Sequence, residues 1–443
     1  MTAGLGLGDA YEMTLERIKA QGGEKARLGM AALMWICYSE RPLRVDELCQ
    51  ALAVEIGSPD LTPDNVPPIS TLLGCCQGLV IVDKRASNVR LIHFSLKEYL
   101  CSRPDLFPGA HSAIAETCLT YLNSQHVNNI PPTFDDFEEV PFLEYSSIYW
   151  GGHAKRELSD RAQSLAMKLF IEYSNHISAK ALLGDQAESP ISLIIGTMED
   201  NFVFTGLHCV SLFGIVELAK NLIEMEDCDI DQRDSAGFTP LIWAAQYGHE
   251  GMVEWLLAQG NVDPNGLDIR YSRSPLSWAA ENGHEAVLKL LLAREDIDPE
   301  RRDNNGQTPF LHAAHSGHEG ILKLLLARED VNPEALDNKG RTPFSYAAHS
   351  GHEGVLKLLL KQKDVDPDRL DNSGRAPIHY AALWGRKGVV ELLLALENVN
   401  PDRIDNYNLT PLEGAIARGH NAIARLLRAH KTTTARCSGS QEA

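Results

Sequence analysis

The chain has 443 residues, too many for one ordinary domain, so we expect two or three. Its 41 basic and 60 acidic residues leave a net charge of −19, which argues against general nucleic-acid affinity because such binding needs a basic surface. No stretch approaches the ~20 apolar residues of a membrane helix. The nine scattered cysteines favour reduced thiols, in the cytoplasm or also in the nucleus.

Residues 1–105 predict an N-terminal helix and a winged-helix-like domain. Apolar residues at helical spacing predict helices at residues 26–39, 44–56 and 69–77. Two β-rich runs around a polar turn predict strands at residues 79–83 and 89–93, and another helix begins at residue 95. Three helices followed by a hairpin form a winged-helix arrangement.

Residues 106–184 predict a helical region. Its helices are expected at residues 110–124, 141–158 and 160–174. The periodicity weakens from residue 176, and residues 185–202 are predicted to be a linker.

A block of about 34 residues recurs seven times within residues 203–430. Its prolines recur at steps of 34 or 35 residues, as Pro240, Pro275, Pro309, Pro343, Pro377 and Pro411. A fixed period of this size predicts a solenoid, in which each unit buries its apolar face against its neighbours. A solenoid offers a long concave surface, which favours binding over catalysis. Residues 431–443 are predicted to be a disordered tail.

The clearest unit begins at Asp303. Asp303 and Gly306 suit a tight turn, and Thr308 followed by Pro309 suits the first turn of a helix. Gly317 is expected to end that helix in the left-handed conformation.

These units resemble the ankyrin repeat. The resemblance rests on Thr-Pro openings at residues 239, 308, 342 and 410 and on Gly-His pairs at residues 248, 283, 317, 351 and 419. It implies a mostly α fold, an ankyrin solenoid of about seven repeats preceded by the winged-helix-like and helical domain. It also implies a protein-interaction role.

The N-terminal half resembles the region downstream of the nucleotide-binding domain in fungal NACHT-type signalling ATPases (STAND or NLR-like proteins). The matching stretches are residues 11–18, 42–48, 92–100 and 142–155. In that family a nucleotide module precedes this region, and repeats follow as a sensor arm. The chain lacks a G-x-x-x-x-G-K-[ST] phosphate loop. We therefore expect a truncated relative, a fragment of a longer gene product, or a partner of separate nucleotide-binding chains.

His93 occupies the position of the family's nucleotide-sensing histidine. In an intact ATPase it would contact nucleotide; in this chain we expect it to satisfy a local polar group. No cofactor and no metal is expected, because the histidines lack carboxylate or cysteine partners at ligand spacing.

A candidate partner-binding surface follows from the position three residues after each repeat proline, where five successive units carry a ring. These rings either form a ladder on the concave face or pack between neighbouring first helices. Outward positions before each turn glycine and on the fingers complete the set. The candidate residues are Trp243, Tyr247, Trp278, His312, His315, Arg341, Tyr346, His349, Arg375, Tyr380, Leu383 and Trp384.

Three functions follow. The first is a protein-interaction scaffold or sensor arm with an unidentified protein partner. The second is a fragment of a nucleotide-switched NACHT/STAND ATPase, of the innate-immunity or heterokaryon-incompatibility kind. The third is a winged-helix DNA binder, supported by Arg44, Lys84, Arg85, Arg90 and Lys97. No catalytic constellation is present in the sequence, so we do not expect an enzyme.

Overall fold

The computed structural model describes residues 7–60, 62–83, 85–131, 140–184, 203–225 and 228–439. Contacts divide the chain into two compact units, Met1–Asp229 and Ile230–Ala443. The first repeat therefore belongs to the N-terminal unit. The predicted linker at residues 185–202 lies outside the described residues.

The N-terminal unit opens with helices and a small antiparallel hairpin. The helices are Leu7–Ala20, Gly23–Tyr38, Val45–Ala53, Ile69–Cys75 and Phe94–Cys101, and the strands are Val80–Asp83 and Asn88–Leu91. The strands pair in a register that places Val80 opposite Leu91 and Asp83 opposite Asn88. The first strand lies within the predicted residues 79–83, the second begins one residue before the predicted residues 89–93, and each predicted helix is present with ends shifted by a few residues.

The helical region follows, and the first repeat packs on it. Its helices are Ala110–Leu122, Gln125–Asn128, Pro141–Arg156, Asp160–Leu169 and Ile177–Gly184, and repeat 1 adds Gly206–Phe213 and Val216–Ile223. Trp150 is fully buried and meets Phe213 edge-on at 5.3 Å between ring centroids. Repeat 1 thus buries its apolar face against this region, as a solenoid end must.

The C-terminal unit consists of six helix pairs, repeats 2 to 7. The pairs are Pro240–Gln246 with Glu250–Leu257, Pro275–Asn282 with Glu285–Leu292, Pro309–Ser316 with Glu319–Leu326, Pro343–Ser350 with Glu353–Leu359, Pro377–Leu383 with Lys387–Leu394, and Pro411–Ala417 with Asn421–Gly439. In repeat 4, Thr308 caps the first helix by accepting the Leu311 N–H, and Gly317 ends it at φ +86°. The predicted helix signals therefore act where expected.

Successive repeats are also joined through their finger loops. The side-chain amide of Asn338 donates to the Asn304 carbonyl at 3.0 Å, and Asn372 donates to the Asn338 carbonyl at 3.2 Å. Successive first helices pack more closely than successive second helices, because the first helices carry pairs of small alanines. The array therefore curves towards the first-helix side, which is its concave face.

The end of the chain differs from the prediction. The last helix runs through Asn421–Gly439, so the segment from residue 431 that was predicted to be disordered is helical as far as residue 439. No proline or glycine interrupts residues 431–438. Extending an existing helix by one residue also costs much less free energy than starting a new helix. Residues 440–443 lie outside the described part.

None of the helices described above combines the length and the apolar character that crossing a lipid bilayer requires.

Candidate functional site

The ring ladder is part of the core, and four of the twelve candidate residues lie buried in it. Trp243, Trp278, His312 and Tyr346 are at most 5% exposed. Each ring lies beneath the finger of its own repeat, where a partner protein cannot reach it. Tyr380 is half-buried in the same position.

A finger aspartate holds each ring. The Trp243 indole N–H donates to Asp234 Oδ2 at 2.9 Å, and the Trp278 indole N–H donates to Asp268 at 3.2 Å. His312 Nε2 lies 3.2 Å from Asp303 Oδ2. The hydroxyls of Tyr346 and Tyr380 donate to Asp337 and Asp371 respectively. Four of these side chains thus donate a hydrogen bond to the finger aspartate of their repeat and the His312 ring lies beside its own, so all five connect the first helix with the finger.

The same carboxylates also organise the finger backbone. Asp234 Oδ1 accepts the N–H groups of Ala236 at 2.9 Å and Phe238 at 2.8 Å. Burial raises the pKa of Asp234 to about 7, because the hydrogen bonds from Trp243 and the backbone only partly compensate for lost hydration. These aspartates recur nine or ten residues before each ring, a regularity that is visible in the sequence but was not part of the predicted site.

In the last repeat the finger aspartate is bound by an arginine of the preceding repeat in place of a ring. Gly414 occupies the ring position there, and Arg375 of the preceding repeat donates from Nε to Asp405 Oδ2 at 2.8 Å. Arg341 likewise donates to Asp337 at 2.9 Å and stacks over the Tyr346 ring at 4.4 Å. Both candidate arginines are therefore half-buried and ion-paired within the array.

The concave face of repeats 4 to 6 carries a surface of aromatic and apolar side chains that we call the aromatic patch. Its members are His315, His349, Tyr380, Leu383 and Trp384. Trp384 is 52% exposed, and the other four are half-buried. His349 is central: its ring lies edge-on to Trp384 at 4.8 Å, edge-on to Tyr380 at 6.1 Å, and stacked with His315 at 6.1 Å. The structure thus brings together five of the predicted residues.

The imidazoles of the patch are free to bind a ligand. Among the described residues, neither the His315 nor the His349 side chain makes a hydrogen bond or an ion pair, and the Trp384 indole N–H has no partner. Partial burial lowers the pKa of His349, and the charges of Arg386 and Arg341 lower it further. Burial also lowers the pKa of His315. Both rings are therefore neutral at neutral pH and surrounded by more positive than negative charge.

Tyr247 lies apart from the patch. It is half-buried in repeat 2, and its ring stacks with Trp243 at 6.1 Å. Tyr407 on the last finger is 65% exposed beneath Arg375, with the guanidinium 5.1 Å from the ring centroid. This tyrosine was not among the predicted residues.

His93 begins the helix Phe94–Cys101. Its Nδ1 accepts the Ser95 N–H at 3.2 Å and lies 2.7 Å from the Ser95 hydroxyl, so the ring caps the helix. It lines a groove of about 320 Å³ together with Arg41, Arg90 and Lys97. Phe94 is 69% exposed beside it.

Carboxylates partly neutralise the cations of the winged helix. Arg44 lies 3.4 Å from Glu47, and Arg90 lies 3.7 Å from Asp83. Lys84 lies outside the described residues. In the part of the chain that the structure describes, no three His, Cys, Asp or Glu side chains converge as metal ligands.

The repeats and the N-terminal domain both match known families. Ankyrin repeats (3 copies) match at residues 168–268, 207–303, 276–371 and 363–436, which together cover more than half of the 443 residues. The chain belongs to the ankyrin-repeat family. Residues 15–115 match the GPI inositol-deacylase, winged helix domain, a region associated with NACHT proteins.

The curated relatives are similar over part of their lengths. The chain is 26% identical over 259 residues to azaphilone pigments biosynthesis cluster protein L of Monascus ruber, covering 52% of this chain and 54% of that protein. It is 31% identical over 134 residues to neurogenic locus notch homolog protein 1 of Homo sapiens, covering 30% of this chain and 5% of that protein. The ankyrin repeats support a protein-interaction role.

Proposed function

We propose that this chain is a protein-interaction scaffold or sensor arm without catalytic activity, and that it binds its partner on the aromatic patch. The observation that carries the proposal is the exposure of Trp384 beside half-buried Leu383 and His349. A large apolar side chain on a solvated face costs free energy unless a partner covers it, and tryptophan is enriched among the residues that dominate protein interfaces.

The architecture also favours a macromolecular partner. The patch is open and extends over three repeats, so it offers a strip of surface rather than an enclosed cavity. The concave curvature of the array lets one partner contact several repeats at once. Eight of the nine cysteines, those whose side chains the structure describes, are free, which supports our proposal of a reducing compartment, the cytoplasm or the nucleus.

The test compares the intact chain with a double variant, Leu383→Ala with Trp384→Ala, as bait for proteins of the source organism. We expect at least one protein to be recovered by the wild type and lost by the variant. A second variant, Lys323→Gln with Lys357→Gln, changes exposed residues of the second helices and should recover the same proteins. Identical recovery by all three baits would overturn the proposal.

A second candidate function concerns the N-terminal unit. Its winged-helix match and the exposed surface of His93 and Phe94 favour a role in a nucleotide-switched assembly of the NACHT/STAND kind, in which a separate or linked nucleotide-binding module would cover this surface. The chain has no phosphate loop of its own. We therefore expect no tight binding of ATP or ADP in calorimetry with the purified chain. Stoichiometric nucleotide binding that His93→Ala abolishes would instead make this chain a nucleotide sensor by itself.

A further inference from the structure

We infer that the aromatic patch receives an extended, carboxylate-bearing peptide segment of the partner, with aromatic side chains between its acidic residues, and that acidification tightens this binding. The inference rests on the proposed function and specifies the chemistry of its partner.

The charges that face the patch favour an anion. His349 faces Arg341, Arg386 and His315, and none of these is acidic. The largest charge acting on His315 is that of Glu281, which raises its pKa, and His312, His352 and Arg341 oppose it. Arg341 is itself paired with Asp337 at 2.8 Å, whereas Arg386 makes no ion pair among the described residues, so Arg386 is the cation that favours an anion here, on a chain whose net charge is −19. A carboxylate placed at His349 would therefore be attracted by Arg386.

The cations are better suited to a carboxylate than to a phosphate group. Arg341 already donates to Asp337, and Arg386 donates from Nε to the His349 carbonyl at 3.0 Å. Neither guanidinium presents a complete free fork, which dianionic phosphate recognition by arginine commonly uses. An imidazole of the patch can instead form a single hydrogen bond. Once its ring is protonated, a ring N–H donates to one carboxylate oxygen of the peptide.

The spacing of the rings matches an extended chain. The His315 and His349 ring centroids are 6.1 Å apart, and His349 is 6.1 Å from Tyr380. Alternate side chains of an extended peptide are about 6.6 Å apart and point to the same side. Such a peptide places every second residue on successive repeats. An aromatic residue would contact Trp384 and Leu383, and an acidic residue would contact the imidazoles.

Acidification strengthens the interaction through linkage. The free imidazoles are held neutral by burial and by the neighbouring arginines. A bound carboxylate favours the protonated ring, so the complex takes up a proton that the free protein has not bound. Over the range in which histidine titrates, affinity therefore rises as the pH falls. The acidic residues of the peptide stay ionised there, because carboxyl groups titrate lower.

The first experiment selects ligands without assuming a partner. A library of random peptides displayed on phage is panned against the full chain and, in parallel, against Trp384→Ala. We expect peptides specific to the wild type to be enriched in Asp or Glu alternating with aromatic residues. Peptides that depend on Trp384 but are basic or uncharged would overturn this inference and leave the proposed function standing. Failure to select any peptide that distinguishes the two proteins would overturn both.

The second experiment measures the pH dependence with the most enriched peptide in synthetic form. We expect its Kd to fall by about fivefold between about pH 7.5 and about pH 5.8, an effect of one linked proton. His349→Phe keeps a ring against Trp384 but cannot take up a proton. Whatever its Kd at the higher pH, this variant should lose the tightening as the pH falls, whereas Lys357→Gln should keep it. A Kd that does not change with pH in the wild type, or tightening that persists in His349→Phe, would overturn the inferred role of the imidazole.

Discussion

Gly317→Ala tests how the turn of one repeat supports its neighbour. Gly317 ends the first helix of repeat 4 at φ +86°, where a residue with a Cβ is strained by about 1–2 kcal/mol. A Cβ there would also lie 2.6 Å from Nδ1 and 2.7 Å from Cε1 of His352 in the next repeat. That ring is engaged by its other nitrogen, Nε2, which lies 3.0 Å from the His315 carbonyl.

The expected loss is the sum of two effects. Displacing the His352 ring costs its hydrogen bond, about 1 kcal/mol, in addition to the backbone strain. Gly317→Ala should therefore lower the free energy of unfolding by about 2–3 kcal/mol. Gly419→Ala is the matched control, because Gly419 has φ +76° and no described atom within 4 Å of its Cβ position. It should show the strain alone, about 1–2 kcal/mol.

Urea denaturation of the full chain, followed by far-ultraviolet circular dichroism, measures both losses. A double-variant cycle isolates the contact: in a His352→Ala background, Gly317→Ala should cost about 1 kcal/mol less than in the wild type. Equal losses for Gly317→Ala and Gly419→Ala, together with no coupling to His352, would refute the reasoning that the turn glycine makes room for the next repeat.

Three further predictions concern stability. Burial and the nearby His111 lower the pKa of His153 from 6.5 to about 4. The unfolded chain therefore takes up a proton at a higher pH than the folded chain does, and about 3 kcal/mol of stability should be lost as the pH falls from about 6.5 to 4. His153→Gln should reduce the slope of stability against pH in this range by one proton. Trp243→Phe should lower the free energy of unfolding by about 1–3 kcal/mol, because it leaves the buried Asp234 carboxylate without its indole donor. Deletion of residues 405–443 should cause aggregation or fraying, measured by light scattering and hydrogen exchange, because it exposes Val390 and Leu393.

Each of these has its own control. His126 is exposed, so His126→Gln should leave the dependence of stability on pH unchanged. An unaltered dependence in His153→Gln would show that His153 does not cause the loss of stability in acid. Trp255→Phe changes a half-buried indole for which no hydrogen bond is described, so a loss as large as that of Trp243→Phe would show that the bond to Asp234 contributes little. A truncated chain that stays monomeric and equally stable would mean that repeat 7 is not a cap.

The sequence by itself determined the repeat architecture. The threonine cap, the proline at the first helical position and the left-handed glycine act over a few residues, so their chemistry can be recognised without knowing any neighbour. Thr308, Pro309 and Gly317 accordingly begin and end their helix where the pattern predicts. The third repeat has one extra residue in its finger turn, yet it keeps the left-handed conformation there. Ser272 takes φ +56° at the position where the neighbouring repeats have glycine.

Only the tertiary structure decided which aromatic residues are available to a partner. A ring three residues after the proline is compatible with a surface ladder or with a core, and the choice depends on an aspartate nine or ten residues earlier on another element. Trp243 finds that carboxylate and is buried, whereas Trp384 ends its helix one residue before Gly385, beyond the reach of any finger aspartate among the described residues, and stays exposed. The aspartates are visible in the sequence, but only the folded arrangement of finger and helix shows that each carboxylate meets a ring and that the finger covers it.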